Sequence, residues 1–253
     1  MCGITGIITK LDPLEFRTRI KLMNNALRNR GPDGEGYFAS ESNGVYLGHR
    51  RLSIIDLSDK GNQPLYNEDG SLILVFNGEI YNYIELREEL LKAGHRFSSV
   101  TDSEVLLHGW EEWRLGLLDR INGMFAFAIY DKVNNEIFLA RDNIGIKPLY
   151  YLKTKELFAF ASESRAFYAL SDKYWRPRID NKVVEKMLLF QYVIDNSDTI
   201  YPDVKKLPAG HYLYYKNNAF EIKPYWKLEV DPRVAVLNFN EAKEECEQLF
   251  SRS

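Results

Sequence analysis

The sequence predicts an α+β fold. Many short extended segments are joined by turn residues, only a few helical patterns stand between them, and nothing repeats the regular strand–helix alternation of a parallel βαβ sheet. Ile4, Ile7 and Ile8 open the chain as a buried strand, which fixes the N-terminus inside the structure. Phe16, Ile20, Met23 and Leu27 recur at helical spacing with charges between them, and Arg30-Gly31-Pro32-Asp33-Gly34 breaks that helix with a turn or short loop. Residues 45–51 read as extended, as do residues 72–76, which run into Asn77-Gly78-Glu79. The helix that follows has Asn82 and Glu85 as an N-cap pair, Leu86, Leu90 and Leu91 as its buried face, and Gly94 as its stop. Thr101 and Glu104 have capping-box spacing for a further helix through Trp110, which places Asp102 in its first turn.

Phe125, Phe127 and Ile129 alternate with small residues and pair with Ile137 and Leu139 around Val133-Asn134-Asn135. Residues 149–152 and 157–161 continue the extended pattern. Past Ala169 the composition shifts. Two proline turns, Arg176-Pro177-Arg178 and Tyr201-Pro202, flank a helical stretch over 182–190, and strands follow at 212–215 and 220–222. Residues 240–253 form an amphipathic helix with Ala242, Cys246, Leu249 and Phe250 on one face, where Cys246 is expected to be half-buried. That helix ends without a clear cap and reads as the entrance to a further domain. The expected division is a domain over 2–225, then a linker and the start of that further domain over 226–253.

The chain has 253 residues, 45% hydrophobic and 27% charged, and a net charge of −3. That balance gives no electrostatic case for nucleic acid or an anionic membrane. No apolar run approaches the roughly 20 residues of a membrane span, and no basic-then-apolar leader opens the chain, so a cytoplasmic protein is expected. Two cysteines, Cys2 and Cys246, do not make a disulfide framework, and four scattered histidines have no zinc-ligand or catalytic-triad spacing. No metal is expected.

Cys2, directly behind Met1, is the most informative residue. If Met1 is removed, the chain begins with a thiol of pKa about 8.5 and an α-amine of about 7.7–8.0 on one residue. Nucleophile and base are then held together by covalent geometry, with no histidine required. Asn77-Gly78 at the end of a strand offers a side-chain amide beside an unhindered backbone N–H, the donor pair of an oxyanion hole. Arg51 can hold a carboxylate in bidentate fashion, and Asp102 and Glu79 can hold an ammonium. A ligand with carboxylate, ammonium and an attackable carbonyl is an amino acid bearing an amide: glutamine.

Met1-Cys2-Gly3-Ile4, Arg30-Gly31-Pro32-Asp33, Arg51-Leu52-Ser53-Ile54-Ile55, Asn77-Gly78-Glu79-Ile80-Tyr81-Asn82, Thr101-Asp102-Ser103-Glu104 and the run from Arg141-Asp142 to Gly145-Ile146-Lys147-Pro148-Leu149-Tyr150-Tyr151 resemble the class II glutamine amidotransferases. The resemblance is closest to the glutaminase domain of glutamine-hydrolysing asparagine synthetase. It implies an N-terminal-nucleophile hydrolase fold, a four-layer αββα sandwich with two stacked antiparallel sheets. It also implies roles. Cys2 attacks the glutamine carboxamide, Asn77 and Gly78 stabilise the oxyanion, Arg51 binds the substrate carboxylate, and Asp102 and Glu79 hold its ammonium. Leu52, Ser53, Ile54 and Ile55 line the pocket mainly through their backbone.

The ammonia is expected to pass to an asparagine synthetase-type domain. The Ser-Gly-Gly-x-Asp-Ser loop of that domain does not occur in this sequence, so ATP and magnesium belong to a domain outside it and no cofactor is expected here. A homodimer is a further expectation, and the chain reads as a piece of a longer protein. The Arg30-Gly31-Pro32-Asp33 loop and the Gly145–Tyr151 run are read as structural.

Plainer readings stand beside these. Asp102 can be simple first-turn charge, Arg51 half of a solvated basic pair with Arg50, and Asn77-Gly78 a hairpin turn. Sibling enzymes deliver ammonia to sugars, polysaccharides or secondary-metabolite precursors. An N-terminal cysteine acylase acting on other amides shares the fold. A chain that retains Met1 is a silent interaction domain, because the amine of Cys2 is then locked in a peptide bond.

Overall fold

The computed structural model describes residues 1–54, 58–192, 197–230, 232 and 237–252. Its strands form two six-stranded antiparallel sheets. In the first, β1 (Gly3–Thr9) lies centrally between β3 (Val45–Arg51) and β9 (Leu157–Ala161), with β2 (Gly34–Ser40) outside β3 and β8 (Tyr150–Lys153) and β10 (Val204–Lys206) outside β9. The second runs in the order β12 (Ala219–Pro224), β11 (His211–Lys216), β7 (Glu136–Arg141), β6 (Gly123–Asp131), β5 (Leu72–Ile80), β4 (Leu65–Tyr66).

Strand alternation sorts the side chains into layers. Ile4, Val45, Leu47 and Phe160 of the first sheet meet Ile73, Val75, Ala128 and Leu139 of the second in a shared core. On the outer face of the first sheet, Ile7 and Tyr46 pack against Phe16, Ile20 and Met23 of α1 (Pro13–Ala26) and against the short helix over Ser164–Leu170. Leu74, Phe76 and Phe127 on the opposite outer face pack against Leu86 and Leu90 of α2 (Tyr83–Lys92) and Val105, Leu106 and Trp110 of α3 (Asp102–Trp113). The result is the four-layer αββα sandwich expected from the family resemblance.

Several sequence expectations change in detail. β2, β4 and β10 have no predicted counterpart; each is short or glycine-rich and leans on a neighbour for its pairing. Leu91 is 49% exposed, because the face of α2 that meets the sheet is narrow and is filled by Leu86 and Leu90. Asn82 does not cap α2 with its side chain, which instead joins Arg120 O and Asn122 N at 2.9 Å each. Thr101 and Glu104 form no capping box. Glu104 turns back to accept from Ser98 and Ser99 at 2.6–2.8 Å. Asn77-Gly78 is not a turn but lies within β5. Cys246 lies on α5 (Phe239–Arg252) and is exposed rather than half-buried, as are Leu249 and Phe250.

Candidate active site

The site grows from two strand ends and one bare sheet edge. Cys2 shares the parity of Ile4 on β1, Arg51 that of Val45 and Leu47 on β3, and Asn77 and Glu79 that of Ile73 and Val75 on β5, so all four point between the sheets. Gly3 faces Arg50 across β1 and β3, and continuing that antiparallel register puts Cys2 beside Arg51. Arg30 fastens the chain start by donating Nε to Cys2 O at 2.8 Å while pairing with Glu163 at 3.1 Å.

β4 pairs with β5 only at residues 73 and 74, which leaves the far half of β5 without a strand on that side. Side chains finish the edge instead. Gln63 Oε1 accepts from Phe76 N at 2.6 Å, Phe76 O accepts from His49 Nε2 at 3.1 Å, and Asp102 Oδ2 accepts from Ile80 N at 3.0 Å. By alternation the N–H of Gly78 points the same way, away from β6. Its partner across that pair, Phe125, agrees: it spends its own N–H and C=O on Asp142. The N–H of Gly78 therefore faces the cavity.

That cavity, about 140 Å³, is lined by Cys2, Arg51, Leu52, Ile54, Asn77, Gly78, Glu79 and Asp102 among others. The thiol of Cys2 is bracketed by one residue: Leu52 N donates to Sγ at 3.4 Å and Sγ donates to Leu52 O at 3.7 Å. Burial pushes the thiol above its ordinary pKa, while the Leu52 N–H, the chain-terminal amine and Arg51 pull the other way. Burial lowers the pKa of the chain-terminal amine at Met1. Asn77 is 1% exposed, and neither its Oδ1 nor its Nδ2 meets a partner among the described residues. A buried amide without partners costs on the order of 1–3 kcal/mol, which a ligand's polar atom can offset.

Arg51 Nη1 donates to Ser58 O at 2.7 Å and to Asn62 Oδ1 at 2.9 Å, and the side chain is 8% exposed. It is therefore a held, buried cation and not half of a solvated pair. The Asp102 carboxyl is pushed up to about 6, first by burial and also by the nearby Glu79 charge, against the Ile80 and Ser103 backbone N–H groups. His49, fully buried, is driven down to about 4 by desolvation; it is a neutral imidazole bridging the two sheets.

Of the residues singled out from sequence, Ser53 is not on the cavity wall; its N–H donates to Asp33 Oδ2 at 2.9 Å and ties that loop in place. Ile55 lies outside the described residues. Lys147, read as part of a structural run, does line the cavity and is 4% exposed. Burial lowers its pKa, helped by Arg30. Arg141 cages the Lys147 loop by donating to Gly145 O, Lys147 O and Leu207 O, and Asp142 accepts from Ile146 and Lys147 N–H. A lysine beside a proline in a glycine turn gives no sequence signal of depth. Gln63 and Met124 on the wall were equally silent, whereas Thr101 and Ser103, also on the wall, belong to a motif of the family resemblance that assigns them no role in the pocket.

The two-sheet sandwich, with a cavity at its strand ends lined by Cys2, Asn77 and Gly78, defines a class that comparison makes specific. The chain matches the family described as "Glutamine amidotransferase domain" over residues 1–226, and it belongs to that family. It is 39% identical over 237 residues to asparagine synthetase [glutamine-hydrolyzing] 1 of Bacillus subtilis, which covers 92% of this chain and 36% of that protein. It is 32% identical over 246 residues to amidase chry2 of Gibberella zeae, covering 93% of this chain and 36% of that one. The chain spans between 31% and 51% of the length of the curated asparagine synthetase relatives it matches. Among solved structures it resembles the glutamine phosphoribosylpyrophosphate amidotransferase of B. subtilis, with a TM-score of 0.65 at 20% identity over 89% of this chain and 49% of that one. That likeness shows the shared N-terminal-nucleophile hydrolase fold. Among the described residues no helix is long and apolar enough to cross a membrane.

Proposed function

We propose that this domain hydrolyses the side-chain amide of L-glutamine to L-glutamate and ammonia through a thioester on Cys2, in a chain from which Met1 has been removed. The α-amine of Cys2 takes the thiol proton as the sulfur attacks the carboxamide carbon, and the resulting ammonium gives that proton to the departing nitrogen as the C–N bond breaks, releasing ammonia. The new oxyanion is received by Asn77 Nδ2 and the Gly78 N–H. Water then cleaves the thioester with the amine as base, returning the thiol and releasing glutamate. Arg51 takes the substrate carboxylate, and Asp102 with Glu79 takes its ammonium. The Leu52 N–H, 3.4 Å from Sγ, stabilises the thiolate form.

The observation that carries this reading is the unpartnered, buried Asn77 amide opening onto the same cavity as the Cys2 thiol. The ammonia is delivered to a synthetase domain of the kind named in the asparagine synthetase relatives. Asparagine as the end product rests on those names. The test is release of ammonia from glutamine by the Met1-free protein. Cys2→Ala is expected to abolish it and Cys246→Ser to leave it intact; equal activity in Cys2→Ala and parent overturns the reading.

A further inference from the structure

The α2–α3 corner, on the helix layer away from the inter-sheet core, holds a second group of polar side chains that the glutaminase reading does not use. His95 follows Gly94, the glycine that ends α2 with φ of +102°, while His108 and Glu111 lie one turn apart on α3. Three donor atoms face one another: His95 Nδ1 and His108 Nδ1 at 3.3 Å, His108 Nδ1 and Glu111 Oε2 at 3.1 Å, His95 Nδ1 and Glu111 Oε2 at 3.7 Å. A tetrahedral zinc ion with bonds of about 2.0–2.1 Å sets its ligand atoms about 3.3 Å apart. The triangle has the size of one face of that tetrahedron.

One outer partner matches as well. Metal-bound imidazole donates its other ring N–H to a carboxylate, which fixes tautomer and ring orientation. His95 Nε2 is 3.2 Å from Glu112 Oε2, within hydrogen-bond reach, whereas His108 Nε2 is 3.8 Å from Glu104 Oε1, an ion-pair distance only. Glu111 is anchored through its other oxygen, Oε1, which accepts from Asn67 Nδ2 at 2.7 Å and leaves Oε2 free to face the imidazoles. Glu68, 56% exposed with Oε2 3.9 Å from His108 Nδ1, stands at the solvent side where a fourth ligand or a water belongs. Among the described residues this is the cluster of histidine and acidic groups whose donor atoms all lie within 4.8 Å of one another.

We propose that His95, His108 and Glu111 form a structural site for a divalent transition ion of zinc type. The ion ties the segment after α2 to the middle of α3, the helix whose first turn carries Asp102. Two facing imidazole nitrogens can also share a single proton with Glu111 and hold no metal, and the two arrangements separate cleanly in solution. The full-length chain, stripped with chelator, is titrated with Co²⁺ and Zn²⁺ by calorimetry and visible absorption.

One equivalent is expected, with the visible bands of four-coordinate Co²⁺ and without a thiolate-to-metal charge-transfer band; Zn²⁺ raises the melting temperature of the parent. Glu112→Gln weakens binding roughly 10–100-fold, and His95→Gln and Glu111→Gln weaken it further. These positions are chosen because all three are partly exposed, which spares the fold in case His108 cannot be replaced. Absence of stoichiometric binding in the parent, unchanged affinity in His95→Gln and Glu111→Gln, or a thiolate band that disappears with Cys246→Ser overturns the proposal.

Discussion

Asn77 and Asp102 are single side chains kept in unfavourable states. The amide of Asn77 is buried without a partner among the described residues, so under the proposed mechanism its truncation is expected to remove little from the fold and much from the transition state. Asn77→Ala should lower kcat by about 10²–10³-fold, roughly 2.7–4 kcal/mol, with KM for glutamine much less affected. Steady-state kinetics on the Met1-free protein check this. Asp102 is held near 6 by burial and by Glu79. Because its folded pKa lies above the ordinary value of 3.8, the stability it contributes is fully present below 3.8 and is lost as pH rises through about 6. Under the proposed binding mode glutamine has the opposite preference, since its ammonium needs the carboxylate. Affinity in the parent should rise as pH increases through about 6, and Asp102→Asn should flatten that step. The same variant should raise KM by about 30-fold or more, a loss of at least about 2 kcal/mol, while its melting temperature at pH 7 increases. Cys2, Arg51 and Asp102 could be singled out from residue type and order alone. The depth of Lys147 could not, because its burial depends on Arg141 and Asp142 closing a loop around it.

At the scale of elements, β5 decides the geometry. Its first half is paired on both sides, whereas its second half pairs with β6 alone among the described strands, and side chains from three other segments complete the open side. Alternation of apolar residues made the strand readable, and the Asn77-Gly78 pair at its end was noticed. The bare edge was not readable, because it arises from the brevity of β4, a two-residue strand with no periodicity of its own. The capping errors share a cause. Asn82 and Glu104 have the spacing of caps, but tertiary partners at Arg120, Asn122, Ser98 and Ser99 compete for the same atoms and win. Gly78 is constrained by the same strand pairing: an added Cβ would press on Met124 O and lie 2.7 Å from Phe125 Cα, both backbone. Gly78→Ala should therefore cost about 1–3 kcal/mol in urea unfolding and lower kcat at least as far as Asn77→Ala does.

Across the whole molecule, the sandwich gives the site its position by bringing the ends of β1 and β3 from one sheet and of β5 from the other to one edge of the shared core. β1 and β3 deliver Cys2 and Arg51, β5 delivers Asn77 and Gly78, and His49 links the sheets as a neutral imidazole. The antiparallel layers were legible from short strands and sparse helices, and their number and order followed from the family resemblance. Which strands sit at the centre was not legible, since register depends on pairings far apart in the chain, such as Gly3 with Arg50. Under the proposed mechanism the Cys2 thiol, freed of Met1, is a nucleophile aimed at bound glutamine. The most direct test of that mechanism is intact mass after incubation with 6-diazo-5-oxo-L-norleucine, a glutamine analogue that alkylates N-terminal cysteine. A single adduct is expected on the Met1-free chain, located on Cys2 and blocked by excess glutamine. A Met1-free chain that stays unmodified, or one modified at Cys246 alone, would contradict it.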